Sequence, residues 1–171
     1  GVAGRCQFIQ ADVRTALPQQ IGAGYDAATF LYGQLAVFTR TQARELLAAA
    51  AAALRPGGRL AVELLDFTRI DKSDSTWWFT DETGLWGDRP FLSLGERRWD
   101  VAQRASIDRF HIIDLETGRL QTIGLSDNGW ETAEMLALLR QSGFSQATAF
   151  AAWDGLDLYD AAEWMAYVAE R

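Results

Sequence analysis

The sequence predicts an α/β domain organised on a parallel sheet, and three observations carry that prediction. The stretch LRPGGRLAVELLDF at residues 54–67 holds a near-continuous apolar run over 60–65. That is the pattern of a strand buried on both faces of a parallel sheet. An earlier run, DAATFL at 26–31, reads as a second buried strand, and an alanine-rich helix ending near Leu54 lies between the two. Strand, helix, strand is a βαβ unit with a right-handed crossover. Asp66 stands where the central strand ends, and ligands of open α/β sheets sit beyond such carboxyl ends.

The totals bound the rest. A chain of 171 residues, 49% hydrophobic and 12% aromatic, is expected to form one folded domain. A net charge of −7 repels the nucleic-acid backbone, so no nucleic-acid partner is expected. The single cysteine, Cys6, excludes an internal disulfide and reads as a small core residue, which suits a cytoplasmic location. No apolar stretch reaches the length of a membrane span, and no membrane partner is expected. No Cys/His cluster signals a metal, and no nucleophile-elbow motif signals a hydrolase.

The elements follow in order. RCQFIQA at 5–11 reads as a short strand ending at Asp12 and Val13. Residues 14–24, with Pro18 and two glycines, read as a connector. Tyr32, Gly33 and Gln34 leave the strand at 26–31 as a loop. Thr39 and Gln42 have the spacing of a capping box at the start of the alanine-rich helix. Pro56 cannot continue that helix, and Gly57 and Gly58 allow a tight reversal into the central strand. Residues 68–100 are rich in Asp, Gly and Trp. Alternation over 102–114, a turn at Glu116, Thr117 and Gly118, and a return over 120–125 predict an antiparallel hairpin. Residues 131–141 predict an amphipathic helix with Met135, Leu136, Leu138 and Leu139 inward and Gly143 as its stop. A strand over 144–152, an acidic link over 154–160 and a last strand over 164–169 complete the chain.

This ordered set resembles the class I S-adenosylmethionine-dependent methyltransferases. The residues that carry the resemblance are ADV after a strand, YDAATFLYGQLAVF, a helix, LRPGGRLAVELLDF, and the tail LLRQSGF with WMAYVAER. The resemblance implies a partial Rossmann-like methyltransferase sheet with helices on both faces and an antiparallel hairpin insertion. Residues 1–171 form a single domain in this reading, with 68–126 as a Trp-rich insertion. It implies methyl transfer from S-adenosyl-L-methionine to a small-molecule acceptor. Asp12 matches the acid that accepts a hydrogen bond from the adenine amino group. Val13 matches the neighbour whose N–H meets the ring. Leu31, Tyr32 and Gln34 match the loop along the cofactor's methionine part, which faces the acceptor. Holding donor and acceptor in line supplies most of what such a protein must provide, so no catalytic base is assigned.

The sequence departs from the family at its start. The glycine-rich loop after the family's first strand and the acid after its second have no match in these residues. The first two family strands lie between the strand at 5–11 and that at 26–31, so their loss leaves a gap of roughly 14 Å. The edge of the strand at 26–31 is expected to be bare and hydrophobic. An N-terminal segment of a longer native chain, or a second copy in a homodimer, is expected to cover it. A non-catalytic remnant unable to bind the cofactor is the alternative reading.

Each candidate also has a plainer role. Asp12 is of a type common as a strand-end turn former. Tyr32 and Phe38 can serve as aromatics capping the sheet. Asp66 is a candidate for the substrate side, and Glu63, inside the apolar run, must find a partner or face a cavity. A structural ion pair is an equal alternative for both. Trp77 and Trp78 are candidate walls of an acceptor pocket, and the core of the insertion is the competing role. His111, the only histidine, reads as a packing residue before a catalytic base.

Overall fold

The computed structural model describes residues 3–151 and 163–171. Two four-stranded sheets organise it. The first has the order β1-β2-β8-β7, formed by β1 (Tyr25–Phe30), β2 (Leu54–Leu65), β8 (Trp164–Glu170) and β7 (Gln146–Ala151). The second runs β3 (Ser75–Asp81), β4 (Phe91–Asp100), β5 (Ala105–Asp114) and β6 (Leu120–Asn128) in sequence order, antiparallel throughout.

The predicted βαβ unit is present. β1 and β2 are parallel, with Phe30 opposite Val62. Helix α2 (Arg40–Ala53) connects them, capped by reciprocal bonds between Thr39 and Gln42. β2 is central, paired with β1 on one side and antiparallel to β8 on the other. Leu60, Val62 and Leu64 share one face with Tyr167 and Ala169, and all five are buried. Leu46 and Leu47 of α2 pack in this same core. So do Met135, Leu138 and Leu139 of α3 (Thr132–Gln141). The expectation of helices on both faces is met on this face. The opposite face carries exposed Ala27, Thr29 and Phe150. Gly143 ends α3 with φ +103°, the left-handed stop expected of it.

Several expectations are corrected. Residues 6–10 form no strand; they are exposed, and Phe8 is 94% exposed. The apolar pair Phe8 and Ile9 meets no neighbouring strand among the described residues, and a strand without a partner leaves its backbone groups unpaired. Cys6 is exposed rather than a core residue, for the same reason. The connector at 14–24 begins instead as helix α1 (Val13–Gln19). Asp12 caps it, and in so short a helix Pro18 removes only one N–H. β1 is not doubly buried, because it is a sheet edge: Tyr25, Asp26, Ala27 and Thr29 are exposed. The Trp-rich stretch supplies β3 and β4, which extend the hairpin of β5 and β6 into a full sheet. The acidic link at 154–160 lies outside the described residues.

One seam joins the second sheet to the first. Asn128, at the end of β6, donates from its backbone N–H to Ala36 O at 2.9 Å and from Nδ2 to Phe38 O at 2.9 Å. Gly129 N–H donates to Arg104 O at 2.7 Å. The Arg104 guanidinium reaches Glu131 at 3.2 Å and Glu134 at 2.9 Å. Arg40 bonds Glu134 and Gly129 O and lies 4.3 Å over the Trp130 ring. These contacts place the second sheet beside the loop that follows β1.

Candidate functional site

The carboxyl ends of β1 and β2 meet at one point, and β8 brings its first residue to the same place because it runs antiparallel. Leu65 pairs with Trp164. After Phe30 the chain turns through Tyr32, φ +55°, and Gly33, φ +70°. Glu63 holds both amides of this turn. Its Oε2 accepts from Tyr32 N–H at 2.6 Å, and its backbone oxygen accepts from Gly33 N–H at 3.2 Å. Glu63 is 3% exposed. The predicted need of this buried acid for a partner is thus met across the strand ends. The Tyr32 ring stacks on Trp164, with centroids 5.3 Å apart and planes 23° from parallel.

The remaining predicted residues are distributed around this point. Leu31, Tyr32 and Gln34 are all exposed. Phe38 packs against the core, the plainer role weighed for it. Asp66 uses its carboxylate within its own turn, accepting from Thr68 N–H at 2.9 Å and Thr68 Oγ1 at 2.8 Å, with Arg69 at 3.8 Å. Asp12 and Val13 open α1, which packs on α2, and Val13 rests on the same core as Phe30 and Phe38. The Asp12 carboxylate accepts from Arg14 N–H at 2.9 Å and pairs with the Arg14 guanidinium. These bonds hold its pKa down at about 2. Asp12 is therefore the cap of α1, and it is exposed.

The tryptophans divide by strand alternation. Trp77 lies over Gly95 and meets Phe110 edge-on at 5.7 Å, so it serves the core of the second sheet. Trp78 points the other way and is exposed. Both contribute to an open cavity of about 360 Å³ with Thr76, Leu94, Glu96 and His111. His111 Nδ1 sits 3.1 Å from Thr122 Oγ1. A larger cavity, about 450 Å³, is lined by Trp86, Arg89, Phe91, Ile112 and Arg119 among others. Neither cavity is lined by Tyr32, Glu63 or Trp164. On the inner side of the same sheet Arg97 makes a bidentate pair with Asp108 at 2.8 and 2.7 Å. Nearby Asp127 has its pKa raised by burial and by Asp108, against the lowering effect of Arg97.

Sequence reasoning did not single out Trp164. The signal was present, since an antiparallel terminal strand must begin beside the carboxyl end of the strand it pairs with. Among the described residues no group of His, Cys, Asp and Glu is arranged to hold a metal ion, and no helix is long and apolar enough to cross a membrane.

Comparison with known proteins rests on structure. No family model matches the chain, and no curated protein matches it. Solved structures do. An S-adenosylmethionine-dependent methyltransferase from Clostridium acetobutylicum ATCC 824 superposes with a TM-score of 0.67 at 10% identity, over 94% of this chain and 62% of that chain. The CcbJ methyltransferase from Streptomyces caelestis gives 0.63 at 14% identity, over 86% and 61%. CalS10, an amino pentose methyltransferase from Micromonospora echinaspora, gives 0.59 at 19% identity, over 94% and 63%. The chain thus has the fold of the class I S-adenosylmethionine-dependent methyltransferases, and it spans about three-fifths of the length of these proteins.

Proposed function

We propose that the protein takes part in methyl transfer from S-adenosyl-L-methionine to a small-molecule acceptor. The observation that carries this is the convergence of the carboxyl ends of β1 and β2 with the first residue of β8 at the Tyr32 turn, in a sheet shared with methyltransferases. Adenine recognition needs an acceptor beside a donor. Asp12 is an exposed carboxylate of low pKa, and Val13 stands in the first turn of α1, where N–H groups have no intrahelical partner. When bound, the cofactor supplies an electrophilic methyl group on sulfur. The chain's own part is to orient: Asp12 and Val13 at the adenine, and Leu31, Tyr32 and Gln34 along the methionine part. The second sheet, fastened beside the β1 loop through Asn128, forms the wall that selects the acceptor. Asp66, in the turn after β2, and Trp77 and Trp78 of β3 are the candidate acceptor residues. Two of the similar proteins, CalS10 and the sugar N-methyltransferase KedS8, act on sugars bearing nitrogen by their descriptions, which supports a small polar acceptor here.

The alternative is a non-catalytic module. Asp12, whose carboxylate oxygens already accept from Arg14, favours it. The edge of β1, paired on one side only among the described residues, is where an upstream segment or a second copy would add. Titration calorimetry with S-adenosylhomocysteine separates the readings. Binding by this chain, or by a form extended upstream of Gly1, is expected, with loss in Asp12→Ala. Absence of binding by both forms refutes methyl transfer.

A further inference from the structure

Two locally unfavourable choices meet at the end of the central strand. A bulky residue in the left-handed region is an outlier. Among the described residues only Tyr32 and Arg104 are non-glycine residues with positive φ. Glycine at position 32 would make the same turn without strain. Glu63, between buried Val62 and Leu64, is a carboxyl where an apolar side chain would serve the strand at lower desolvation cost. Each makes sense through the other. Glu63 Oε2 takes the Tyr32 N–H at 2.6 Å, and the turn so held lays the Tyr32 ring on Trp164 at 5.3 Å. Tyr32 nonetheless stays 70% exposed. The arrangement displays an aromatic ring beyond the sheet instead of burying it.

We propose that Glu63 is a positioning residue that holds Tyr32 in its left-handed turn, so that Tyr32 and Trp164 form an aromatic wall for an onium group. Aromatic faces attract cations through their quadrupole, and groups such as quaternary ammonium are recognised this way. The proposal rests on the methyl-transfer reading only for its natural ligand, which is the sulfonium of the donor or a cationic amine of the acceptor.

The test follows the Tyr32 ring by NMR in the full chain, with trimethylsulfonium as probe and tert-butanol as its neutral counterpart of similar shape. Saturable shifts of the Tyr32 resonances are expected, with the cation bound roughly three-fold more tightly. Glu63→Gln still accepts from the Tyr32 N–H and keeps the response, whereas Glu63→Leu loses it. Tyr32→Gly keeps or raises Tm, because the ring is displayed at the cost of strain. Equal response to both probes, an unchanged response in Glu63→Leu, or a fall in Tm in Tyr32→Gly overturns the proposal. If Glu63→Leu does not fold, the probe comparison and Tyr32→Gly still decide. Loss in Tyr32→Gly of affinity for S-adenosylmethionine but not S-adenosylhomocysteine assigns the wall to the donor; equal affinities assign it to the acceptor; both uphold it. Wild-type protein and its upstream-extended form that bind neither compound refute methyl transfer and leave the onium result to decide the wall.

Discussion

Gly95→Ala probes how the second sheet seats its tryptophan. Gly95 lies on β4 in ordinary extended backbone, and a Cβ built there would stand 2.1 Å from Trp77 Cε2, 2.4 Å from Cζ2 and 2.5 Å from Nε1. The indole is rigid, so it must withdraw by more than an ångström or swing out. Withdrawal disturbs its edge contact with Phe110 and its approach to the Arg97 guanidinium at 6.0 Å. β4 cannot yield instead, because β3 and β5 pin it on both sides. Overpacking of this kind costs about 1–3 kcal/mol. Replacing glycine in a strand returns about 0.5–1 kcal/mol. With contacts this short the steric cost falls at the upper end of its range and wins, leaving a net loss of about 2 kcal/mol. In a domain of this size that lowers Tm by about 4–8 °C. Calorimetry measures the shift, and tryptophan emission reports the displaced ring. In a Trp77→Ala background the obstacle is gone, and Gly95→Ala should be neutral or stabilising. An unchanged or raised Tm in the wild-type background, or the same fall in both, would refute the reasoning.

Two further expectations concern titration. Asp127 has a folded-state pKa above the ordinary 3.8, through burial first and Asp108 second. Its unfolded form therefore ionises first, and stability is lost as pH rises from 3.8 through the folded value. Asp127→Asn removes that loss, so its Tm gain at pH 7 should vanish at pH 3; a gain independent of pH contradicts the assignment. Asp12, lowered to about 2 chiefly by its hydrogen bond with the Arg14 side chain, contributes above 3.8 and loses that contribution as pH falls through about 2. NMR titration should place its midpoint near 2 and move it up in Arg14→Ala; an unmoved midpoint would exclude the Arg14 side chain as the cause.

Local signals in the sequence determined the βαβ core. The Thr39 and Gln42 capping box, the alanine helix and the apolar run to Leu65 each depend on neighbours along the chain, and each is found; Pro56, Gly57 and Gly58 fall inside β2, where the register against β1 shifts. The amphipathic pattern of α3 and its Gly143 stop are local in the same way. The resemblance also implied that β1 stands at a sheet edge, and among the described residues β1 pairs with β2 alone.

Tertiary structure decided the rest. Residues 6–10 have the composition of a strand, but a strand exists only with a partner, and none is found among the described residues. Asp12 and Pro18 read as turn residues until the N-cap bond and packing on α2 made a short helix of them. Trp77 and Trp78, adjacent in sequence, take opposite faces of β3, and only the register of β3 on β4 sets Trp77 over Gly95. Glu63 was identifiable as an acid in need of a partner. That the partner is the Tyr32 amide, 31 residues earlier, and that Trp164 supplies the ring beneath Tyr32, follows from the pairing of β2 with β1 and β8. Composition and periodicity specify what a segment can bury, whereas contacts between distant segments arise from the order in which strands pair.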